Sequence, residues 1–154
     1  PRKRERYPLQ CYGNQCGRTR DDGGMNSTEQ PGFAEAWERS KPFLADALEK
    51  SGNEYTVADV LKELEDDQAI FYPTRNGASV FRIGLYPQKR MLCIWLAGGD
   101  MESSIDSILE AAEFHAKQHE CDGIEVLGRR GWEKVLKPYG YEHKRVMLIK
   151  ELGD

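Results

Sequence analysis

The 154-residue sequence has no apolar run long enough to span a bilayer and no apolar segment behind its amino terminus. Neither a membrane-spanning helix nor a secretory signal is expected. Cysteine is sparse. Cys11, Cys16, Cys93 and Cys121 form no dense framework, so a disulfide scaffold is excluded. Cys93 and Cys121 lie in apolar surroundings and read as buried thiols of a reducing compartment. Cys11 and Cys16 make a C-x4-C pair without a second pair or a nearby histidine, whereas a closed zinc site wants four ligands. Two thiols on an arm are expected there, and no metal. His115 and His119 stand four apart, on one face of a predicted helix, but no HExxH frame surrounds them; a polar helix end is expected. His143 has no visible partner in its charged loop.

Positive charge is also in short supply overall, with a net of −4. It is unevenly placed. Arg2, Lys3, Arg4, Arg6, Arg18 and Arg20 outnumber Glu5, Asp21 and Asp22 by three, which leaves −7 on residues 25–154. An acidic body with a basic arm argues against a nucleic-acid-binding fold, although the arm itself can meet phosphates or an acidic protein surface. The length suits one domain with a real core. Residues 1–32 carry no period that would bury a face and end at Pro31-Gly32. They read as a flexible arm preceding a domain over 33–154, with residues 1–24 the binding segment for a protein partner. Met25 precedes the first periodic segment, so a secondary reading makes residues 1–24 dispensable to the fold.

What the sequence does contain is concentrated between Met91 and Arg130. Leu92–Ala97 is nearly all apolar, the signature of a strand covered on both faces. Asp100 stands at an N-cap position. Ile105, Ile108, Leu109, Ala112 and Ala116 then recur at the spacing of one buried helical stripe. Cys121-Asp122-Gly123 breaks the helix, and Ile124–Gly128 reads as a second strand. Strand, helix and strand in this span make a right-handed βαβ crossover with parallel strands. Ligands of such units sit at the carboxyl ends of the strands, here LAGGD and LGRRG.

Elsewhere, Phe33–Ser51 reads as a helix that Pro42 either kinks or restarts. Thr56 caps a helix over Val57–Leu64, with Asp59 completing a capping box. The acidic run Glu63, Glu65, Asp66 and Asp67 reads as a solvated face. A strand over Gln68–Pro73, the Asn76-Gly77 hairpin signal and a strand over Ala78–Tyr86 follow. Trp132–Lys137 reads as a short helix stopped by Pro138, and Arg145–Glu151 as a last strand.

This order of elements, with a βαβ unit late in the chain, resembles the GNAT superfamily of acetyl-CoA-dependent N-acetyltransferases. The resemblance covers residues 33–152 by pattern. LAGGD before a long helix, then GIEVLGRRGWEKVL and a closing VMLIKEL, also resembles the small GNAT-like proteins encoded among phage virion genes. It implies an α/β fold with a mixed sheet, antiparallel strands first and the crossover after them. It further implies a coenzyme A pyrophosphate held by backbone amides of a Q/R-x-x-G-x-G/A loop at a helix start. The residues carried over to that loop are Leu96, Ala97, Gly98, Gly99, Asp100 and Met101. The match is imperfect. With Gly98 as first glycine, Trp95 replaces Gln or Arg and Asp100 replaces Gly or Ala; with Ala97 and Gly99 at the two positions, Ile94 replaces Gln or Arg. In both registers Asp100 brings a carboxylate to the helix mouth, where it is expected to cap the amides and repel a phosphate.

The family's tyrosine general acid lies in a phrase resembling A-x-x-L-Y-x-x-x-G-F. Matching its end to Gly140-Tyr141 puts Leu136 at the tyrosine, and leucine donates no proton. Tyr139 is the substitute acid, or else a turn or core residue. Glu125, pointing away from Ile124 and Val126 by strand alternation, is the candidate base, or a solvent-facing strand glutamate. Arg129 and Arg130 are candidates for coenzyme phosphates, for an acidic residue of a neighbouring subunit, or for Asp100 across the strand ends. The reading favoured by these residues is a GNAT-fold protein with a degenerate acetyl-CoA loop and no cofactor, a structural or interaction component of a phage virion located there or in the host cytoplasm. Its arm would engage other virion proteins. The alternative is an active N-acetyltransferase that uses acetyl-CoA on an amine, and a weaker one is a nucleic-acid accessory acting through residues 1–20.

Overall fold

The computed structural model describes residue 28, residues 30–128 and residues 131–153. The arm expected over 1–32, with its Cys11–Cys16 pair, falls almost wholly outside the described residues. Helix α1 is Phe33–Lys50 and buries Phe33, Ala36, Trp37, Leu44 and Leu48 on one stripe. Pro42 neither restarts nor ends it. The carbonyl that Pro42 leaves without a donor belongs to Glu38, and both residues are exposed, so water can take the place of the missing N–H. Helix α2, Val57–Glu65, opens with the capping box: Asp59 N–H donates to Thr56 Oγ1 at 3.1 Å and Thr56 N–H to Asp59 Oδ2 at 2.8 Å.

Strands β1 (Ile70–Pro73), β2 (Gly77–Leu85) and β3 (Arg90–Gly99) pair antiparallel in chain order. The β1–β2 turn at Asn76 is closed by Thr74 N–H donating to the Gly77 carbonyl at 2.9 Å. Helix α3 (Met101–Gln118) crosses over to β4 (Gly123–Val126), which lies parallel to β3, giving the sheet order β1-β2-β3-β4. A short helix α4 (Gly131–Leu136) runs into a 3-10 turn over Lys137–Tyr139, so the chain continues helically through Pro138 instead of stopping before it.

The sheet separates two cores. One packs α1 and α2 against Phe71, Ala78, Val80 and Leu96; Phe33, Trp37 and Phe71 meet there with ring centroids 5.5–5.8 Å apart. The other packs α3 and Leu136 against Ile70, Phe81, Ile83, Leu92 and Ile94. Each such large apolar side chain contributes roughly 1.5–3 kcal/mol when fully buried. Among the described residues no helix is long and apolar enough to cross a membrane.

Three further expectations fail. Residues 145–151 form no strand: 141–153 hold no helix, strand or turn, and Val146, Met147, Leu148 and Ile149 are 60–89% exposed. Apolar, branched residues supply strand propensity, but here they have neither a ladder partner nor a covering face. The helix end at His115 and His119 is not polar surface, since both rings are buried. Arg90, 1% exposed, sends its guanidinium to the His119 carbonyl at 2.9 Å, and Asp122 bonds the Arg90 backbone in both directions. The α3 C-terminus is thereby drawn into the start of the sheet. His143 does have a partner, Glu133, at 3.4 Å.

Candidate functional site

The site begins with one extra residue. Val80 pairs with Leu96 and Phe81 with Ile94, so Trp95 has no opposite number and forms a bulge in β3. Before it, Leu92 and Ile94 face α3; after it, Leu96 faces α1 and Ala97 faces α3. Trp95 and Leu96 therefore lean to the same side. The Ser79 hydroxyl donates to the Leu96 carbonyl at 2.7 Å, satisfying a buried acceptor beside the irregularity. A bulge bends its strand and increases its twist. Pairing between β3 and β4 covers only Met91–Ile94 against Gly123–Val126; beyond that the two strands part.

The gap between them holds two adjoining cavities of about 30 and 100 Å³, both lined by Trp95, Ala97, Leu127, Gly128 and Trp132. The smaller is floored by Ile105, Ile108 and Leu109 of α3. The larger opens past Gly98, Gly99 and Met101 toward Asp46 and Lys50 of α1. Gly128 is needed here: a Cβ on it would stand 2.7 Å from the Trp132 ring.

The glycine pair is not the bare loop that the sequence suggested. Gly98 and Gly99 continue β3, opposite Ala78 and Gly77. A Cβ on Gly98 would run into the Phe43 carbonyl, and one on Gly99 into Asn76 and Gly77. Close backbone packing accounts for both glycines, and the left-handed φ of 102° at Gly99 is a second reason there. Asp100 is the N-cap of α3, yet its carboxylate makes no capping bond and is exposed. The expected internal plug is absent: the Asp100 carboxylate accepts no helix amide, while its N–H donates to the Asn76 carbonyl at 2.9 Å. Among the described residues no acceptor faces the amides of Met101, Glu102 and Ser103. Free first-turn amides and the helix dipole favour an anion. The local charge is mixed, with Asp100 and Glu102 at the mouth and Lys50 paired to Asp46 at 2.9 Å.

Of the sequence-derived candidates, Leu96, Ala97, Gly98, Gly99 and Met101 line the larger cavity, and Asp100 stands at its edge. Arg129 and Arg130 lie outside the described residues. Glu125 and Tyr139 line neither cavity and are not brought together. Glu125 pairs with Cys93 across the sheet and accepts from the Tyr86 hydroxyl at 2.8 Å. That bond, burial and the Glu125 charge raise the Tyr86 pKa, and burial, with the same carboxylate, pushes the Cys93 thiol up to about 11. The Tyr139 hydroxyl donates to Asp106 on α3, which raises its pKa. Leu136 is core. Among the described residues no group of three His, Cys, Asp or Glu side chains is placed to hold a metal.

Sequence reasoning missed Trp95, Trp132 and Arg82. The Arg82 guanidinium lies 4.4 Å from the Trp95 ring and 5.7 Å from that of Tyr55, and its Nη2 is 3.6 Å from Glu63. Arg82 is paired with Cys93, so Cys93, Glu125, Arg82 and Trp95 share one sheet face. The available signal was an uninterrupted apolar run at Ile94–Ala97, which conceals a bulge as easily as it reports a buried strand.

No family model and no curated relative matches the sequence. Solved structures do match its shape. A probable acetyltransferase superposes with a TM-score of 0.59 at 14% identity, over 78% of this chain and 93% of that one. An aminoglycoside N-acetyltransferase in complex with CoA gives 0.59 at 12% identity, over 77% and 90%. A protein from Thermus thermophilus gives 0.56 at 15% identity, over 81% and 97%. The fold is that of the GNAT N-acetyltransferases.

Proposed function

We propose that this chain binds an acyl-coenzyme A thioester in the cleft between β3 and β4 and passes the acyl group to an amine. The observation that carries the reading is the coincidence of two features at one place. The strands part at the Trp95 bulge, and the unbonded first-turn amides of α3 begin at Met101, which lines the larger cavity in the gap so formed. The donors present fit the group: amides at a helix start suit a pyrophosphate, and the Ile94, Ala97 and Trp132 walls suit an apolar pantetheine arm. The aminoglycoside enzyme of the same fold is known with CoA, which supports the reading without extending to its acceptor.

When bound, the thioester supplies an activated acyl group. The chain's own part is to hold it, keep water from the Ile94–Trp132 walls and receive a proton from the incoming ammonium. Glu125 is the carboxylate on the Trp95 face of the sheet, two residues before Leu127, and accepts that proton through water. A thiolate would be a good enough leaving group to depart without a protein acid, so Leu136 at the family's tyrosine position does not forbid transfer. A structural or interaction role is the second reading. The carboxylates Asp100 and Glu102 at the mouth favour it, while its virion setting rests on sequence resemblance alone.

Thermal shift with acetyl-CoA separates the two. Ligand at about 100 times Kd adds about 2.7 kcal/mol of stability. Asp100→Gly removes a carboxylate from the mouth and should enlarge the shift. No shift in either protein, at millimolar ligand, refutes the acyl-CoA reading; a shift without thiol release on adding amines refutes transfer alone.

A further inference from the structure

Under the acyl-transfer reading, on which this rests, we infer that Tyr86 is a positioning residue for Glu125. Its hydroxyl holds the carboxylate over the sheet and away from the cleft, and proton transfer from an acceptor amine proceeds once that bond opens.

The restraint is built from the backbone upward. Tyr86 N–H donates to the Lys89 carbonyl at 2.8 Å and Lys89 N–H to the Tyr86 carbonyl at 3.3 Å. Pro87 and Gln88 thus form a two-residue turn that fixes where the Tyr86 side chain starts. Gly84, two residues back and on the same face by strand alternation, leaves the surface beneath the ring bare. A Cβ on it would stand 3.3 Å from the Tyr86 ring and 3.5 Å from its hydroxyl. The ring therefore lies back over Gly84, and its hydroxyl donates to Glu125 at 2.8 Å. The carboxylate comes to meet it: the same Cβ would be 3.6 Å from Glu125 Oε2, although β2 and β4 are separated by β3.

The direction of this lean decides its effect. Gly84 pairs with Met91 and Met91 with Gly123, the row at which β3 and β4 begin. The cleft lies at their other ends, beyond Ile94 and Val126. Glu125 is thus drawn away from the cleft, in keeping with its absence from both cavity walls. Among the described residues the Tyr86 hydroxyl is its one hydrogen-bond donor. The cation on that face, Arg82, is turned to Trp95 and Glu63, and Cys93, its pKa pushed up to about 11, stays a neutral thiol. A single bond is therefore the restraint. Tyr86 is 44% exposed, so water can replace each partner when the bond opens. Released, Glu125 takes a proton through water from the acceptor's ammonium. The nitrogen lone pair so freed attacks the thioester carbonyl, the C–S bond breaks and the thiolate departs.

The test measures thiol release from acetyl-CoA with a primary amine, in the full chain and in Tyr86→Phe, Gly84→Ala and Glu125→Gln. Tyr86→Phe keeps the ring over Gly84 and removes the hydroxyl; Gly84→Ala keeps both partners and displaces the ring. Each is expected to raise kcat by about two- to tenfold, the population weight of one such bond, with KM for acetyl-CoA unchanged. Glu125→Gln is expected to abolish turnover, alone or combined with Tyr86→Phe. Tyrosinate absorbance in alkali reads the bond without catalysis. The Glu125 bond raises the Tyr86 pKa, so the component missing from Tyr86→Phe should move to lower pH in Gly84→Ala and in Glu125→Gln. Release from Tyr86→Phe alone, with a silent parent, supports the restraint most directly. An unchanged or lowered kcat in Tyr86→Phe, with Tm kept, overturns the restraint and leaves the transfer reading standing. A Tyr86 component that titrates alike in the parent and Glu125→Gln also overturns it. No thiol release from the parent or from Tyr86→Phe overturns the transfer reading and the restraint together.

Discussion

Gly98→Ala distinguishes a glycine kept for protein packing from one kept for a ligand. A new Cβ there would lie inside the Phe43 carbonyl oxygen's contact radius and 3.0 Å from its carbonyl carbon. Both atoms are backbone in the middle of α1, which buries Leu44 and Leu48 on the same side, so no side chain can rotate out of the way. Since carbon contacts prefer separations of about 3.5–4 Å, α1 or the β3 end must shift by about 1 Å. Overpacking of that kind costs about 1–3 kcal/mol, and opposing backbone places this case near 2–3. Replacing strand glycine by alanine returns about 0.5–1 kcal/mol of backbone entropy. The net is a loss of about 1–2.5 kcal/mol, or a Tm lower by roughly 2–10 °C for a chain of this size. Calorimetry of the free protein, with no ligand added, reads it directly. An unchanged Tm together with lost acetyl-CoA binding would refute the packing account and reserve Gly98 for the ligand's approach.

Thr56→Ala removes the hydroxyl that accepts from Asp59 N–H and should cost about 1 kcal/mol by urea denaturation. The other half of the box, the Thr56 N–H bond to the Asp59 carboxylate, lowers the Asp59 pKa, so the part of the cap that depends on that carboxylate is present above the usual carboxylate range and is lost as pH falls through the folded value. His119 carries the opposite chemistry with the same pH trend: burial, then His115 and Arg90, hold its pKa down to about 3. The unfolded chain therefore binds a proton near pH 6.5 that the folded one refuses, and stability should fall on acidification below that point, with a slope approaching about 1.4 kcal/mol per pH unit. Denaturation midpoints across the range from neutral to mildly acidic pH test this, and a flat profile would contradict a neutral, buried ring. Tyr141→Phe should be neutral or stabilising by up to about 1 kcal/mol, because its hydroxyl is buried without a partner; a clear loss of Tm would reveal a bond.

The parts of this fold that were legible are those decided within a few residues. Thr56 and Asp59 announce a cap, Asn76-Gly77 a hairpin, and Ile105 to Ala116 a buried stripe, and each is found where its local chemistry puts it. The site was legible only as a place, the carboxyl ends of two parallel strands. Its cause, the bulge at Trp95, is a register relation between β2 and β3, and no local pattern in an all-apolar strand encodes register. His115 and His119 misled for a related reason, since their surroundings are distant in sequence: the His115 ring packs beside Phe81, and the His119 carbonyl is bonded by Arg90, 29 residues earlier in the chain. The VMLIKEL segment has a strand's composition, but composition does not supply a neighbouring edge.

The bulge also explains why an imperfect loop can serve. A single extra residue turns Leu96 toward α1 and lets β3 remain paired with β2 as far as Gly99, so the helix start is positioned by the sheet and by the Asn76 carbonyl, not by loop glycines. The amides that matter then belong to Met101, Glu102 and Ser103, whose side chains play no part in offering them, and a sequence motif need not survive for the geometry to do so. Asp100 is consistent with this. An N-cap aspartate ordinarily contributes about 1 kcal/mol by accepting a helix amide, and here it accepts none. Its charge acts on whatever anion comes to the mouth, where at about 4 Å in water it costs about 1 kcal/mol, near fivefold in affinity. Under the acyl-CoA reading, that is enough to weaken a carrier and too little to exclude it, so Asp100 would set how tightly an anion is held, while the bulge decides that there is a cleft.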